Sequence, residues 1–258
     1  MLCGVAQLVR DGRLVGEVID DLRTGRVVIA AEATTDHESR HDALVETMLD
    51  RLLVGDFDAG EQHYRELARR FDAAEMAERV IGPALVEIGE RWFRRECDVY
   101  EERSASVFLR RQTALLIEAA RAGNTHPTRR VLVGTVQGDR HEGGVLILNL
   151  LLELAGWRVT NLGVDLPVRE FEKAVRSRRP DGVGLSFVLS RNINKRFREL
   201  ESIADVPVIV GGRGVLNYQS LARRHGLIPV SCPVRSVAAR LEQELAGWGR
   251  ARDYATEP

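Results

Sequence analysis

The sequence predicts an α + α/β chain, in which a four- to five-helix bundle precedes a doubly wound parallel sheet of five strands. Three observations lead there. From about Ser39 to Ala122 the apolar residues recur at helical spacing, whereas beyond Arg129 they gather into short continuous runs. Those runs alternate with helical segments, the order that places helices on both faces of a parallel sheet. Between the halves lies "NTHPT" (124–128), a linker by composition.

Taken in order, residues 1–37 form an N-terminal extension, where two apolar runs around "RTGR" suggest a hairpin. A helical cap is expected over 38–123. Its first helix carries Leu44, Met48, Leu49 and Leu52 and stops at Gly55-Asp56. "AGEQHYRELARRF" (59–71) follows, then "AAEMAERVIGPALVEIGERWFRR" (73–95), in which Pro83 marks a break or a fresh first turn. The last cap helix, "CDVYEERSASVFLRRQTALLIEAARAG" (97–123), ends at Gly123. The second domain is expected over 128–248. Its strands are "RRVLVGTV" (129–136), "WRVTNLG" (157–163), "DGVGLSFV" (181–188), "VPVIVGG" (206–212) and "GLIPV" (226–230). Helices are expected between them at 143–156, 167–179, 192–204 and 217–225, with a last one from about Val234 to Leu245.

Composition narrows the function. Basic and acidic residues number 37 and 38, so no overall field draws the chain to nucleic acid. The first residues lack a basic segment followed by an apolar core, and three scattered cysteines make no disulfide framework; a reducing cytoplasm is expected. No apolar stretch reaches the roughly 20 residues of a membrane span.

The loop "GDRHEGG" (138–144) falls at the end of the first strand, at the carboxyl edge where open parallel sheets bind ligands. His141 would project from that edge. Asp139, two residues earlier, is placed to accept one ring N–H and leave the other nitrogen basic, as around a metal-ligating histidine. Gly138, Gly143 and Gly144 allow close backbone approach. Ser186 at the end of the third strand and Gly211-Gly212 at the end of the fourth suit a long ligand tail, while no phosphate-loop spacing is present. Asp-x-His alone would also fit a simple loop hydrogen-bond network.

Together these residues resemble the cobalamin-binding module of corrinoid proteins, a Rossmann-like domain with a DxHxxG loop, a SxL element and a GG pair. Here they are Asp139–His141–Gly144, "SFV" (186–188, with valine for leucine) and Gly211-Gly212. The resemblance implies that His141 replaces the vitamin's own base on cobalt and that Ser186 and the GG pair hold the displaced tail. It extends over roughly 40–245, since "LLVGDFD", "VIGPALVEIGERW" and "VYEERSASVFLRR" resemble the helical cap that precedes this module. The cap implies upper-face contacts from Trp92 and Glu102. Photoreceptor regulators of this kind carry Trp, nine residues, then Glu-His; here Arg103 stands for the histidine, and a guanidinium cannot bind cobalt. Another upper ligand, such as water, is therefore expected. Cys97 and His63 are further cap donors, and the arginines of "WFRRE" and "FLRRQ" are expected to pair with Glu90, Glu96 and Glu101.

Three function classes remain. An isomerase needs a substrate barrel for which these residues leave no room. A methyl-carrier subunit has the same two-part layout. A sensor is favoured, because "DRHEGG" departs from the carrier pattern at Glu142, Gly143 and Val145. The extension before the cap is too short for a winged helix, and between Arg10 and Arg26 it holds four basic and four acidic residues. The layout therefore resembles AerR/PpaA-type antirepressors: a cobalamin-binding transcription regulator, possible photoreceptor, without catalysis or direct DNA binding, acting through a partner repressor. Haem on His141 is the further alternative.

Overall fold

A computed structural model describes residues 36–203, 205–231 and 236–255. The chain divides into two units, Met1–Ala43 and Leu44–Pro258. The hairpin expected before the cap lies outside the described residues. The second unit carries most of the helical cap and the whole of the sheet.

The cap consists of α1 (Asp36–Leu53), α2 (Phe57–Ala68), a one-turn α3 (Ala73–Glu75), a π-helical turn (Met76–Ile81), α4 (Gly82–Phe93) and α5 (Val99–Gly123). Side chains set the helix starts. Asp72 and Glu75 cap each other's backbone N–H groups, at 2.8 and 3.0 Å, and the Glu101 carboxylate accepts the Asp98 N–H at 2.7 Å before α5. Pro83, which has no N–H to donate, sits in the first turn of α4, and the widened turn lies immediately ahead of it. Thus the break expected at this proline is a π turn between two stacked helical segments. Met48, Leu49, Leu52, Leu67, Ile81, Ile88 and Leu109 close the cap core.

Beyond the linker come β1 (Arg130–Gly134), α6 (Gly143–Leu154), β2 (Arg158–Asn161), α7 (Val168–Arg178), β3 (Gly182–Ser186), α8 (Ile193–Leu200), β4 (Val208–Gly211), a 3-10 turn (Arg213–Tyr218), α9 (Gln219–Arg224), β5 (Ile228–Pro229) and α10 (Val237–Ala255). All strand pairs are parallel, in the order β2-β1-β3-β4-β5. The α + α/β architecture read from the sequence is the one observed. Three helices differ clearly in extent: α8 stops at Leu200, short of the expected 204, the 3-10 turn precedes α9, and α10 runs ten residues past Leu245.

The two sheet faces alternate residue by residue. Leu132, Val183, Leu185, Val208 and Val210 pack under α7, α8 and α9. Val131, Val133 and Ile209 face α6 and α10. On that second face Gly182 and Gly184 stand under Leu245 and Leu148, each of which a Cβ would meet at 3.0 Å. Helix α6 is apolar around its circumference because it is sandwiched. Val145 and Leu152 meet the sheet, while Leu146 and Leu150 join Ala77 and Ile117 of the cap. Its buried Glu153 accepts Arg121 of α5 at 2.9 Å and the Val159 N–H of β2 at 3.0 Å, fastening cap, helix and edge strand together.

Candidate cofactor site

Strand order reverses between β1 and β3, and the loops leaving those two strands meet there. Asp139 is wholly buried and joins them. Its Oδ2 accepts the backbone N–H groups of Val188 (2.8 Å) and Leu189 (3.2 Å), just past β3. Its Oδ1 accepts the His141 backbone N–H (3.2 Å) and lies 2.7 Å from His141 Nδ1. Burial is the largest single influence on this carboxyl and pushes its pKa up. The hydrogen bonds from the His141 ring, Val188, Leu189 and the His141 backbone together outweigh it and hold the group below its ordinary value. Ionised, Asp139 can only accept, so Nδ1 carries the hydrogen, and in the neutral ring Nε2 is the lone-pair nitrogen. The ring is half exposed at the sheet edge. This chemistry suits a metal brought in by a ligand. The valine in the "SFV" element does not disturb it, because residue 188 contributes its N–H rather than its side chain.

Ser186 and Gly211 are register neighbours at the ends of β3 and β4. A Cβ at Gly144 would come closer than 3.0 Å to Ser186 Oγ, and one at Gly143 would meet Leu85 of α4 at 2.7 Å. At Gly138, φ is +87° and a Cβ would meet the Arg196 guanidinium at 2.7 Å. Gly212, with φ +96°, abuts the backbone of Phe187. These glycines therefore let the first turn of α6 and the strand ends close on one another.

Sequence reasoning missed Asp165, in the loop after β2. It holds a left-handed φ of +61°. Its carboxylate accepts Gly138 N–H at 2.7 Å and Arg140 Nε at 2.8 Å, and its own N–H donates to Thr135 Oγ1 at 2.9 Å and Asp139 O at 3.0 Å. The buried Thr135 hydroxyl donates in turn to the Asp139 carbonyl. The one available signal was "GVDLP", an aspartate between a glycine and a Leu-Pro pair, where a left-handed turn is tolerated. Asp165→Ala loses both carboxylate bonds to the loop and should lower the affinity of any metal or cofactor held by His141 about tenfold; an unchanged affinity would count against it as a positioning residue.

Two cap helices reach this edge. Leu85 of α4 packs on Gly143, and Glu90 pairs with Arg213 at 3.3 Å, so α4 spans from the loop after β1 to the turn after β4. Arg110 of α5 pairs with Glu142 at 3.2 Å, next to His141. Trp92 lies one turn beyond Ile88 on α4 and is 48% exposed. Glu102 lies two turns before Arg110 in an i, i+4 row through Ser106, whose hydroxyl donates to it at 3.1 Å. Of the ion pairs expected in the cap, Arg94–Glu96 forms at 2.8 Å. Glu90 and Arg110 instead reach across to the sheet domain, and Glu101 serves as a helix cap. Cys97 is partly buried against the cap core, and burial first of all raises its thiol pKa.

Residues 129–235 match the B12 binding domain family. This part of the chain is a B12-binding domain. Across its wider length the chain is 34% identical over 180 residues to the HTH-type transcriptional repressor CarA of Myxococcus xanthus, an alignment covering 68% of this chain and 57% of that protein. It is 26% identical over 173 residues to the trimethylamine corrinoid protein of Methanosarcina barkeri, covering 63% of this chain and 80% of that one. The B12-binding domain and its helical cap share their fold with the monomethylamine corrinoid protein of Methanosarcina barkeri (TM-score 0.60, 14% identity, covering 78% of this chain and 98% of that one). The chain thus spans little more than half the length of the regulator it matches. Among the described residues no helix is long and apolar enough to cross a membrane.

Proposed function

We propose that the chain is a cobalamin-binding sensor that regulates transcription through a partner repressor, with no turnover of its own. The Asp139–His141 pair carries this reading: a buried, ionised carboxylate fixes Nδ1–H and presents Nε2 at the switch point. His141 would hold cobalt through that nitrogen. Ser186, Gly211 and Gly212, with Gly138, Gly143 and Gly144, would receive the displaced nucleotide tail, and Trp92 and Glu102 would meet the upper face. Bound cobalamin would supply a metal centre with an exchangeable, light-sensitive ligand. The cap pairs Arg110–Glu142 and Arg213–Glu90 would carry such a change to the outer surface of the cap.

The regulator reading draws on the higher identity to a transcriptional repressor, 34% against 26% for the corrinoid carrier. Coverage of 80% of that carrier's length supports a second reading, a methyl carrier. An absorbance titration with hydroxo-, methyl- and adenosylcobalamin, in the dark and under light, with haem in parallel, separates them. A histidine-ligated cobalamin spectrum that is lost in His141→Ala is expected. Binding indifferent to His141 would sink the ligation, and methyl transfer to the reduced bound cofactor with partner proteins present would favour the carrier.

A further inference from the structure

Charge is almost balanced over the whole chain, but the near-zero sum hides an uneven distribution. Between Val168 and Ser231 the sequence holds twelve basic and six acidic side chains. That stretch contains α7, α8 and α9, which cover one face of the sheet. The Ser202 hydroxyl, just past α8, donates to Glu172 of α7. The His225 ring, at the end of α9, lies 2.5 Å from Glu201 and 2.8 Å from Asn194 of α8. The three helices therefore lie side by side, with α8 in the middle. Each returns antiparallel to the parallel strands, so their C-terminal ends share the amino edge of the sheet, opposite His141.

Five arginines gather at that edge. Arg178 and Arg179 close α7, Arg198 lies in the last turn of α8, and Arg223 and Arg224 end α9. All five are exposed, and none pairs with a carboxylate among the described residues. Nearby acids are engaged with other bases, Glu172 with Arg176 at 3.2 Å, Glu199 with Lys195 at 3.8 Å and Asp181 with Arg129 at 3.6 Å. One cation would answer the carbonyl end of each helix. Five without counter-charges repel one another and favour an outside anion. No exposed large apolar side chain lies on α7, α8 or α9, and Phe171 and Phe197 are buried. The edge thus lacks the aromatic and apolar centre of a protein interface, and also the stacking platforms of a single-strand site. Adjacent helix axes stand about 8–10 Å apart, so the three ends span roughly 20 Å, the rise of about five or six base pairs. We propose that this edge contacts the phosphate backbone of duplex DNA without reading its sequence. The contact goes beyond the sensor reading and does not depend on cobalamin; it would hold the chain on the same duplex that a partner repressor reads.

The test is fluorescence anisotropy of the full chain with a duplex of about 20 base pairs and arbitrary sequence, at salt from about 50 to about 200 mM. Binding should weaken steeply, with a log–log slope of about −4 to −5, since each neutralised phosphate contributes about −0.9. Arg223→Ser/Arg224→Ser should weaken binding at the lowest salt at least about tenfold and make the slope shallower by about 2. Arg223→Lys/Arg224→Lys keeps the charge and should stay within about threefold of wild type. Arg169→Ser/Lys173→Ser, at the opposite end of α7, should also change affinity less than about threefold. Urea denaturation of each variant separates lost contact from lost fold. No binding of duplex at the lowest salt, or equal losses from the two serine pairs, overturns the inference. Tighter binding of a single strand of the same length, or of a polyglutamate peptide, reassigns the edge to another anion and overturns it as well.

Discussion

Asp139→Ala is expected to destabilise the chain by about 3 kcal/mol and to release His141 as well. The carboxylate is buried, and its removal strands the N–H groups of Val188 and Leu189 in a closed loop. Each orphaned buried donor costs roughly 1–3 kcal/mol. The imidazole loses its fixed tautomer at the same time, and loss of such a supporting carboxylate weakens metal sites about 10–100-fold. Asp139→Asn keeps the volume, but its amide can accept on one side only. It should therefore fall between wild type and alanine in a urea titration. The pH dependence follows from the depressed native pKa. Asp139 stabilises the fold fully above its unfolded value of about 3.9, and loses that contribution only as pH falls through that value towards the lower native one. A stability loss below about 1 kcal/mol for Asp139→Ala would show that the two loops are held by other contacts.

The sheet was legible because its strands are continuous apolar runs that only burial on both faces permits, as in "RVLVG" and "VPVIV". The loop was legible because Asp139 and His141 are local: two residues apart, they can meet without knowledge of the rest of the chain. Asp165 was not, since it reaches the loop from the end of another strand, and its left-handed turn leaves no periodic mark. The pairing of Arg110 with Glu142, 32 residues apart, was hidden for the same reason, and the nearer glutamates of the cap drew the expectation to themselves. The end of α10 was also missed: the helix continues past the expected Leu245 through Gly247, a residue type that helix interiors disfavour. Local chemistry is thus visible in sequence, while contacts that require two elements to be packed first are not.

These cross-element contacts change how the cap is understood. Leu85, Arg110 and Glu90 each touch a different part of the sheet edge: the start of α6, the residue after His141, and the turn after β4. The two ion pairs are partly exposed, and each contributes only up to about 1 kcal/mol. The larger tie is Leu146 and Leu150 packed against Ile117 and Ala77. The apolar contact between α5 and α6 can therefore serve as a fixed base, while the weaker contacts above the site are the ones a cofactor could exchange.

Gly212→Ala is expected to cost about 3–5 kcal/mol, the largest loss among the glycine positions. At φ +96° and ψ 171° the residue occupies a region open essentially to glycine, worth about 1–3 kcal/mol in strain for any other residue. A Cβ would also lie closer than 3.0 Å to the Phe187 carbonyl oxygen and 3.1 Å from its nitrogen. Neither atom can yield easily. The Phe187 N–H donates to Gly211 O at 2.8 Å, and its carbonyl accepts Gly214 N–H at 2.9 Å, so the backbone is tied on both sides. Overpacking of this kind adds roughly 1–3 kcal/mol. Gly156→Ala supplies the control, because φ is +84° there but no atom lies within 4 Å of the Cβ. It should show the conformational strain alone, about 1–2 kcal/mol. If urea denaturation finds the two variants equally destabilised, the strand ends have room to spread, and the close fit of Gly212 under Phe187 is not what holds the ends of β3 and β4 in register. If Gly212→Ala is the worse by about 2 kcal/mol, the ends of β3 and β4 are locked as a unit through Ser186, Phe187 and Gly211, and any ligand received there meets a preformed edge.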